Sequence, residues 1–352
     1  MLPPRPVRRL VLAPMVIVIT IVLVALFPLL AAVTALAGLA GRSRPRRMRG
    51  LRLLWFAVAW LSAETLTLAC CLGLWIASGF GARLRTEHFA GRHYAVLRRF
   101  LGLISRAGAS AFGLRVELAE PELTAEEQEA RLARPVIVVS RHAGPGDSLV
   151  LAHHLLTVYR RRPRVVMKAA MQLDPSVDVL GSRLPSVFIA PGQTGQGLFA
   201  EQIERLARGL DAEGAMVIFP EGGNWTPGRW RRGIQRLERK GRRDLASRAL
   251  QMPNLLPPKS GGVAAAIGAC PEADVVFVAH AGLDHLVSAG DIWRCIPLRR
   301  PARARWWRVP ADQVPRDAGR EDQVKWLYDW WQRIDEWVSQ NRPASETVRP
   351  AA

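Results

Sequence analysis

The longest charge-free run of this chain constrains its fold more than any other feature. Leu10–Gly41 contains no charged residue, and Leu53–Ala82 contains only Glu64. A helix needs about 20 apolar residues to cross a bilayer, so both runs are long enough. The first run is too long for a cleaved signal peptide and is followed by a second run. These features predict a retained, membrane-embedded helical hairpin with basic flanks in residues 1–90, and a pair of buried core helices is the alternative.

The basic residues around the two runs bear on membrane topology. The positive-inside rule would keep all three basic flanks cytoplasmic, whereas two full crossings would place the middle flank outside. Pro14 and Pro28 can kink the first helix, and Glu64 is costly at the bilayer centre. We therefore predict a hairpin embedded mainly in the cytoplasmic leaflet of the cell membrane, with the rest of the chain on the cytoplasmic face. The flanking arginines are Arg5, Arg8 and Arg9, then Arg42, Arg44, Arg46, Arg47, Arg49 and Arg52, and finally Arg83, Arg85 and Arg92.

The overall composition excludes several classes of protein. Hydrophobic residues make up 49% of the 352 residues and charged residues 22%, which excludes wholesale disorder. The four cysteines contain no C-x-x-C pair, so neither a disulfide scaffold nor a metal site is expected. The formal charge of +19 suits an anionic partner. We expect membrane phospholipid rather than nucleic acid, because the chain has a membrane anchor and no nucleic-acid motif.

Short β-branched runs alternate with helical stretches in the middle of the chain. They predict strands covered on both faces, and hence an α/β fold with a single mixed sheet flanked by helices. The predicted strands are Val136–Ser140, Arg164–Met167, Ser186–Ala190, Ala215–Phe219 and Asp274–Ala279. After the hairpin, the predicted parts are a linking helix with an acidic surface segment (91–134), an α/β core (135–300) and a Trp-rich C-terminal helix and tail (301–352).

A histidine and an aspartate lie five residues apart where the first predicted strand ends. The segment reads Ser-Arg-His-Ala-Gly-Pro-Gly-Asp from Ser140 to Asp147. Across the Gly-Pro-Gly turn, the Asp147 carboxylate can fold back onto the imidazole of His142. It then fixes the tautomer and leaves the other ring nitrogen as a base near neutral pH. The alternative is that Asp147 only caps the next helix and that His142 is a turn residue.

A glutamate and two glycines follow another predicted strand. The sequence after Ala215–Phe219 is Pro-Glu-Gly-Gly-Asn, with the carboxylate at Glu221. A carboxylate where a buried strand emerges, next to accessible backbone N–H groups, can hold an acceptor hydroxyl and an oxyanion. The alternative is an ordinary turn with a solvated glutamate.

Together these motifs resemble the glycerolipid acyltransferase family, which includes 1-acylglycerol-3-phosphate and lysophospholipid acyltransferases. The resemblance rests on His142-x4-Asp147, on the Phe-Pro-Glu-Gly of Phe219–Gly222 and on the apolar N-terminus. The segment Leu255–Gly262 looks like the family's proline-containing fourth motif. The segment Trp326–Trp331 is similar to the C-terminal helix of the branch that contains lysocardiolipin acyltransferases.

The resemblance implies acyl transfer from acyl-CoA or acyl carrier protein to the free hydroxyl of a lysophospholipid such as 1-acylglycerol-3-phosphate. His142 would take the hydroxyl proton, and Asp147 would orient its ring. No metal or other cofactor is implied. The residues that would bind the acceptor or the oxyanion are Glu221, Gly222, Gly223 and Asn224.

Two positions depart from the family pattern. The second motif ends in an arginine where this chain has Ala190, and the third continues Thr-Arg where this chain has Gly223 and Asn224. The family uses both arginines on the acceptor phosphate, where Asn replaces a bidentate Arg poorly. Either other cations bind the headgroup, or the acceptor is a glycolipid or another membrane alcohol; a non-catalytic lipid-binding relative is a third alternative. The candidate cations are Lys168, Arg183, Arg229, Arg231, Arg232 and Lys259.

Two segments remain open to two interpretations each. Arg229–Arg243 holds eight basic residues in fifteen, which indicates a solvated helix or one that lies on anionic headgroups. In the tail, one helical stripe predicts a helix packed on the α/β core, with membrane docking as the alternative. The stripe consists of Val324, Leu327, Trp331, Ile334 and Val338.

Overall fold

The computed structural model describes residues 2–40, 48–119, 124, 133–144, 146–190, 197–284, 286 and 289–342. Three features of the sequence lie wholly or mostly outside these ranges. They are the arginines from Arg42 to Arg47 between the apolar runs, the acidic stretch Glu120–Ala130 apart from Thr124, and residues 343–352.

Three long helices form the N-terminal part of the protein. They are α1 (Ala13–Ala40), α2 (Arg49–Ala77) and α3 (Glu87–Phe112). By length and composition, the helical segments Arg5–Gly38 and Arg49–Ala77 could each cross a membrane. Helix α2 contacts both α1 and α3, while more than half of the described side chains of α1 are exposed. A helix that is apolar all round and exposed is unlike a soluble core helix, so these helices suggest membrane association.

Arginines at the starts of both apolar helices contact the globular part of the chain. Arg8 forms a buried ion pair with Asp178 at 2.8 Å. Arg49, the first residue of α2, donates a hydrogen bond of 3.1 Å to the carbonyl oxygen of Arg294 in the globular part. Because the start of α1 and the start of α2 are both held in this way, the hairpin lies along the globular domain rather than pointing away from it.

Seven strands form one mixed sheet. Their spatial order is β1-β7-β6-β2-β5-β3-β4. Strands β2 to β6 run parallel to one another, and β7 is antiparallel to β6. The central strands β2 and β5 are buried along their whole length, as expected when both faces of a sheet are covered. The strands are β1 (Val116–Ala119), β2 (Val136–Ser140), β3 (Arg162–Lys168), β4 (Ser186–Ile189), β5 (Gly214–Ile218), β6 (Asp274–Ala281) and β7 (Ala302–Val309).

Helices cover both faces of the sheet, because side chains alternate along each strand. Ile137 and Val139 of β2 face the main core with α6, α8, α9 and α11 (ranges below), whereas Val136 and Val138 pack against α4. The predicted α/β class with a single mixed sheet is therefore confirmed. The remaining helices are α4 (Asp147–Thr157), α5 (Pro175–Gly181), α6 (Gly197–Ala207), α7 (Pro227–Arg239), α8 (Arg243–Leu250), α9 (Ser260–Ala269), α10 (Ala289–Cys295) and α11 (Arg320–Asn341).

The structure adds two strands to the five predicted from sequence. Strands β1 and β7 lie in the segments interpreted as a link and a tail, so the sheet extends beyond residues 135–300. Strand β7 reads Ala-Arg-Ala-Arg-Trp-Trp-Arg-Val, and its arginines interrupt the apolar run that marks the other strands. In the tail, all five residues of the predicted stripe are buried in α11, so the packing of this helix on the core is confirmed.

Candidate active site

The topology brings the two sequence motifs together at the carboxyl ends of two central strands. Strands β2 and β5 are adjacent and parallel, with Val139 opposite Ile218. The loops that follow them therefore leave the sheet side by side. The backbone N–H of His142 donates to Glu221 Oε1 at 2.8 Å, although the two residues are 79 positions apart in the chain.

His142 and Asp147 form a hydrogen-bonded pair. The distance between His142 Nδ1 and Asp147 Oδ2 is 2.8 Å. Gly146 adopts φ +90°, a conformation open to glycine, and this turns the chain so that α4 can begin at Asp147. Since an ionised carboxylate only accepts, Nδ1 carries the proton and the lone pair lies on Nε2. Within the described part of the chain, no hydrogen bond occupies Nε2.

The local environment keeps Asp147 ionised. Burial acts to raise the pKa of this carboxyl, but the hydrogen bond from His142, the nearby His280 and the backbone N–H of Gly144 together hold the pKa below its usual value. Oδ2 also accepts from the backbone N–H of Ala143 at 2.9 Å. The His142 side chain is 20% exposed, whereas that of Asp147 is 2% exposed. The pair therefore presents an imidazole to the surface and keeps its carboxylate inside.

Glu221 occupies a different environment from Asp147. Its two carboxylate oxygens accept from the backbone N–H groups of His142 and Leu256, at 2.8 and 2.9 Å. Burial raises the pKa of Glu221 to about 8, against the opposing effects of Arg141 and of these two N–H groups. The side chain ties together the loops after β2 and β5 and the segment before α9. Direct contact of Glu221 with an acceptor stays a prediction, and this geometry does not favour it, because the residue is only 4% exposed.

Three of the predicted cations surround the glycines after Glu221. A Cβ atom placed on Gly222 would lie 2.8 Å from Lys259 Nζ. A Cβ atom on Gly223 would lie 3.4 Å from both Lys168 Nζ and Arg229 Nη1. No carboxylate in the described ranges forms an ion pair with these three side chains. We call Lys168, Arg229 and Lys259 the cation cluster.

The electrostatics of the cation cluster favour an anion. Burial, together with the charge of Arg229, lowers the pKa of Lys168. Burial, with Arg236 and Lys168 adding repulsion, lowers the pKa of Lys259. Each ammonium group is thus destabilised by desolvation and by its neighbours. A negatively charged group between them would relieve both effects.

The other three predicted cations lie elsewhere. Arg183 donates to the carbonyl oxygen of Cys71 at 2.7 Å and contacts His93 at 3.0 Å, so it links α2 and α3 to the loop after α5. Arg231 and Arg232 are exposed on α7. The structure therefore gives none of the three a contact with the cation cluster.

A buried ion pair next to His142, between Arg141 and Asp284, was not predicted from the sequence. The Arg141 side chain is fully buried and pairs with Asp284 at 2.5 Å. It also donates to the carbonyl oxygen of Asn254 at 3.1 Å. These contacts fix the residue before the imidazole to the loop after β6. An arginine at the end of an apolar strand, next to a candidate base, was the available sequence signal.

An apolar cavity of about 110 Å³ adjoins the dyad. It lies between α4 and the strands β1, β2, β6 and β7, and Asp147 and His280 contribute to its wall. Leu151 and Leu155 of α4 and Val278 of β6 supply part of its apolar lining. The described residues contain no group of three His, Cys, Asp or Glu side chains that could hold a metal ion.

The sequence was compared with models of protein families. Residues 121–281 match the family model described as Acyltransferase, and this range contains both motifs and the cation cluster. The match spans less than half of the chain. No curated protein matches the chain. The match supports an acyltransferase of lipid biosynthesis whose domain is built around the β2 and β5 strand ends.

Proposed function

We propose that this protein is a membrane-bound O-acyltransferase. It moves an acyl chain from acyl-CoA or acyl carrier protein to the free hydroxyl of a lysophospholipid such as 1-acylglycerol-3-phosphate. One observation carries the proposal: His142 Nδ1 lies 2.8 Å from Asp147 Oδ2, and no hydrogen bond from the described residues occupies Nε2. The family match supports the reaction class.

The proposed chemistry needs one base and no covalent enzyme intermediate. Nε2 of His142 takes the hydroxyl proton as the oxygen attacks the thioester carbonyl. The tetrahedral oxyanion collapses, the C–S bond breaks, and the leaving thiolate receives the proton from His142. Asp147 stabilises the transient imidazolium without itself becoming protonated. The products are the acylated lipid and free thiol.

The backbone N–H groups that follow Gly222 are the proposed donors to the oxyanion. The N–H of Gly222 is already donated to the carbonyl oxygen of Phe219 at 3.0 Å. The N–H groups of Gly223 and Asn224 are the next donors along the turn. We assign them to the oxyanion, with Lys168 and Arg229 close enough to Gly223 to add positive charge.

The cation cluster is the proposed headgroup site. It supplies three positive charges near the turn where the family pattern has an arginine and this chain has Asn224. A phosphomonoester would satisfy charges that no protein carboxylate neutralises in the described structure. The apolar cavity next to Asp147 would take the part of the acyl chain nearest the thioester.

The hairpin would place this site at the membrane surface. Both apolar helices start against the globular domain, through Arg8 and Arg49. An α1 held along the domain buries its exposed face in one leaflet more readily than it spans the bilayer. This supports a shallow hairpin in the cytoplasmic leaflet of the cell membrane, with the α/β domain on the cytoplasmic side.

A glycolipid or another membrane alcohol is the second candidate acceptor. The observation that favours it is the chain's Ala190 and Asn224 at the two positions where the family has phosphate-binding arginines. The two candidate acceptors differ in how much their binding depends on the cation cluster. Only a phosphorylated acceptor should depend on both Lys168 and Lys259 for its binding.

The experiment is a thiol-release assay on the full-length protein in membranes. Acyl-CoA and acyl carrier protein are each offered with 1-acylglycerol-3-phosphate, phosphodiester lysolipids and glycolipids, and lipid mass spectrometry identifies the product. We expect release with at least one donor–acceptor pair and its loss in His142→Ala. His88→Ala, which alters an exposed histidine on α3, is the matched control. Release that persists unchanged in His142→Ala would contradict the mechanism, and no release with any pair would favour a non-catalytic lipid-binding protein.

A further inference from the structure

A second histidine lies against the carboxylate that orients the base. Nε2 of His280, near the end of β6, is 3.6 Å from Asp147 Oδ2 and 3.2 Å from the carbonyl oxygen of Arg141. The Asp147 carboxylate therefore has His142 on one side and His280 on another.

The contact between His280 and Arg141 is reciprocal. The guanidinium of Arg141 donates to the backbone carbonyl of His280, while the ring of His280 reaches the backbone carbonyl of Arg141. A carbonyl only accepts, so Nε2 of His280 carries a proton. This N–H points into the space shared by the Arg141 carbonyl and the Asp147 carboxylate.

The same two loops approach closely at a second point. A Cβ atom on Gly144 would lie 2.7 Å from the carbonyl oxygen of Leu283, so only glycine fits there. The ladder between β2 and β6 ends at Ser140 and Val278. Beyond that point, the side chains of Arg141 and His280 hold the loops together.

Burial favours the neutral form of His280. Burial and the charge of Arg141 lower the pKa of His280, while Asp147 and Asp284 act in the opposite direction. The ring also shares the wall of the apolar cavity with other titratable groups. These are His154 of α4, Arg161 before β3, and Arg303, Arg305 and Arg308 of β7.

We infer that His280 is a positioning residue for the proposed reaction, acting through Asp147 and the Arg141 carbonyl to align His142. Its Nε2–H donates to the Arg141 carbonyl and places a partial positive charge 3.6 Å from a carboxylate oxygen that already accepts from His142 and Ala143. It also fixes the backbone directly before the base. This inference rests on the proposed function.

The test uses two substitutions in the full-length protein in membranes. His280→Phe fills the space without a donor, and His280→Gln places an amide N–H near the position of Nε2. For His280→Phe we expect kcat to fall about tenfold, with KM for the acceptor within about twofold. His280→Gln should recover most of this loss.

The pH profile separates positioning from simple loss of stability. Without the partial positive charge of the His280 N–H near Asp147, the carboxylate holds the protonated form of His142 more strongly. The acidic limb of the kcat/KM profile should therefore move to higher pH, by about half a unit. Ile203→Val, a truncation in the main core, should lower the thermal midpoint and leave the profile in place.

The outcomes distinguish this inference from the proposed function. If wild type releases thiol, His142→Ala does not, and His280→Phe keeps the wild-type kcat and pH profile, the inference fails and the function stands. Equal loss in His280→Phe and His280→Gln with an unmoved pH profile also overturns it, since that pattern is structural. If wild type shows no His142-dependent release, both fail together.

Discussion

Two carboxylates at neighbouring strand ends have opposite surroundings. Asp147 follows β2, binds an imidazole, and has its pKa held below the usual value. Glu221 follows β5, binds only backbone N–H groups, and has its pKa raised to about 8 by burial. Both are buried at the candidate site, Asp147 at the start of α4 and Glu221 in the loop after β5.

The partners decide the function of each carboxylate. Asp147 contacts a side chain whose free nitrogen reaches the surface, so its charge can act on chemistry. Glu221 accepts hydrogen bonds from the backbone of two other segments, so it acts on the relative position of these segments and its own loop. A motif that contains a carboxylate near a base does not by itself say which of these functions applies.

The largest expected effect comes from Asp147→Asn. The amide cannot stabilise an imidazolium as the carboxylate does, and its N–H group can turn the ring to the wrong tautomer. We expect kcat for thiol release to fall by about 10²–10⁴-fold, while circular dichroism shows a folded protein. A fall of less than about threefold would remove the distinction between the two carboxylates.

Glu221→Gln should mainly lower the stability of the fold. Gln offers one carbonyl oxygen and turns its NH₂ group towards the second backbone donor, so one buried N–H loses its acceptor. We expect the free energy of unfolding to fall by about 1–3 kcal/mol, measured by denaturant titration in detergent at pH 6. Glu221→Asp, which keeps the charge but shortens the side chain, is the control for geometry.

The pH dependence of this difference has a definite sign. In the folded protein the pKa of Glu221 is about 8, against an ordinary value of 4.5, so the folded state binds the extra proton between these values. Wild type therefore loses stability relative to Glu221→Gln as the pH rises from about 4.5 through 8. Unfolding at pH 6 and pH 8.5 should show the gap between wild type and Glu221→Gln narrowing at the higher pH. A gap that widens would contradict a raised pKa.

Unlike the two carboxylates, the cation cluster should act on binding of the acceptor. Lys259→Gln and Lys168→Gln should each raise KM for 1-acylglycerol-3-phosphate about tenfold, because each removes a charge-assisted contact with phosphate. KM for a glycolipid acceptor should change by less than about twofold. Arg208→Gln, at an exposed ion pair with Glu204, is the control for net charge. Equal effects on both acceptors would place the headgroup elsewhere.

The strands of the fold were predictable where a short stretch of sequence forms an apolar run. Strands β2 and β5 read as uninterrupted apolar runs because both of their faces are covered. Strands β1 and β7 are only partly buried, and each contains charged residues, so neither forms the uninterrupted apolar run by which β2 and β5 were found. The basic segment Arg229–Arg243 was interpreted as one helix, but α7 ends at Arg239 and the chain turns at Gly241 with φ +75° before α8 begins.

The site was predictable only in part, for the same reason. His142 and Asp147 are five residues apart, so their spacing carries information about their contact. Arg141 and Asp284 are 143 positions apart, and Glu221 and Leu256 are 35 apart. Such pairs depend on how the strands order themselves in the sheet, which no local pattern specifies. Glu221 was therefore found as a residue but not in its observed contacts.

An exposed carboxylate can be compared with the two buried ones, and its substitution should have the smallest effect. Glu321, at the start of α11, pairs with Arg242 at 2.7 Å, a distance similar to that between Asp147 and His142. The Glu321 side chain is 73% exposed, so water competes for both partners and salt screens them. Glu321→Gln should therefore change the free energy of unfolding by less than about 1 kcal/mol and leave thiol release at the wild-type rate. If the substitution costs as much as Glu221→Gln, distance rather than burial governs these pairs, and the contrast between Asp147 and Glu221 loses its physical basis.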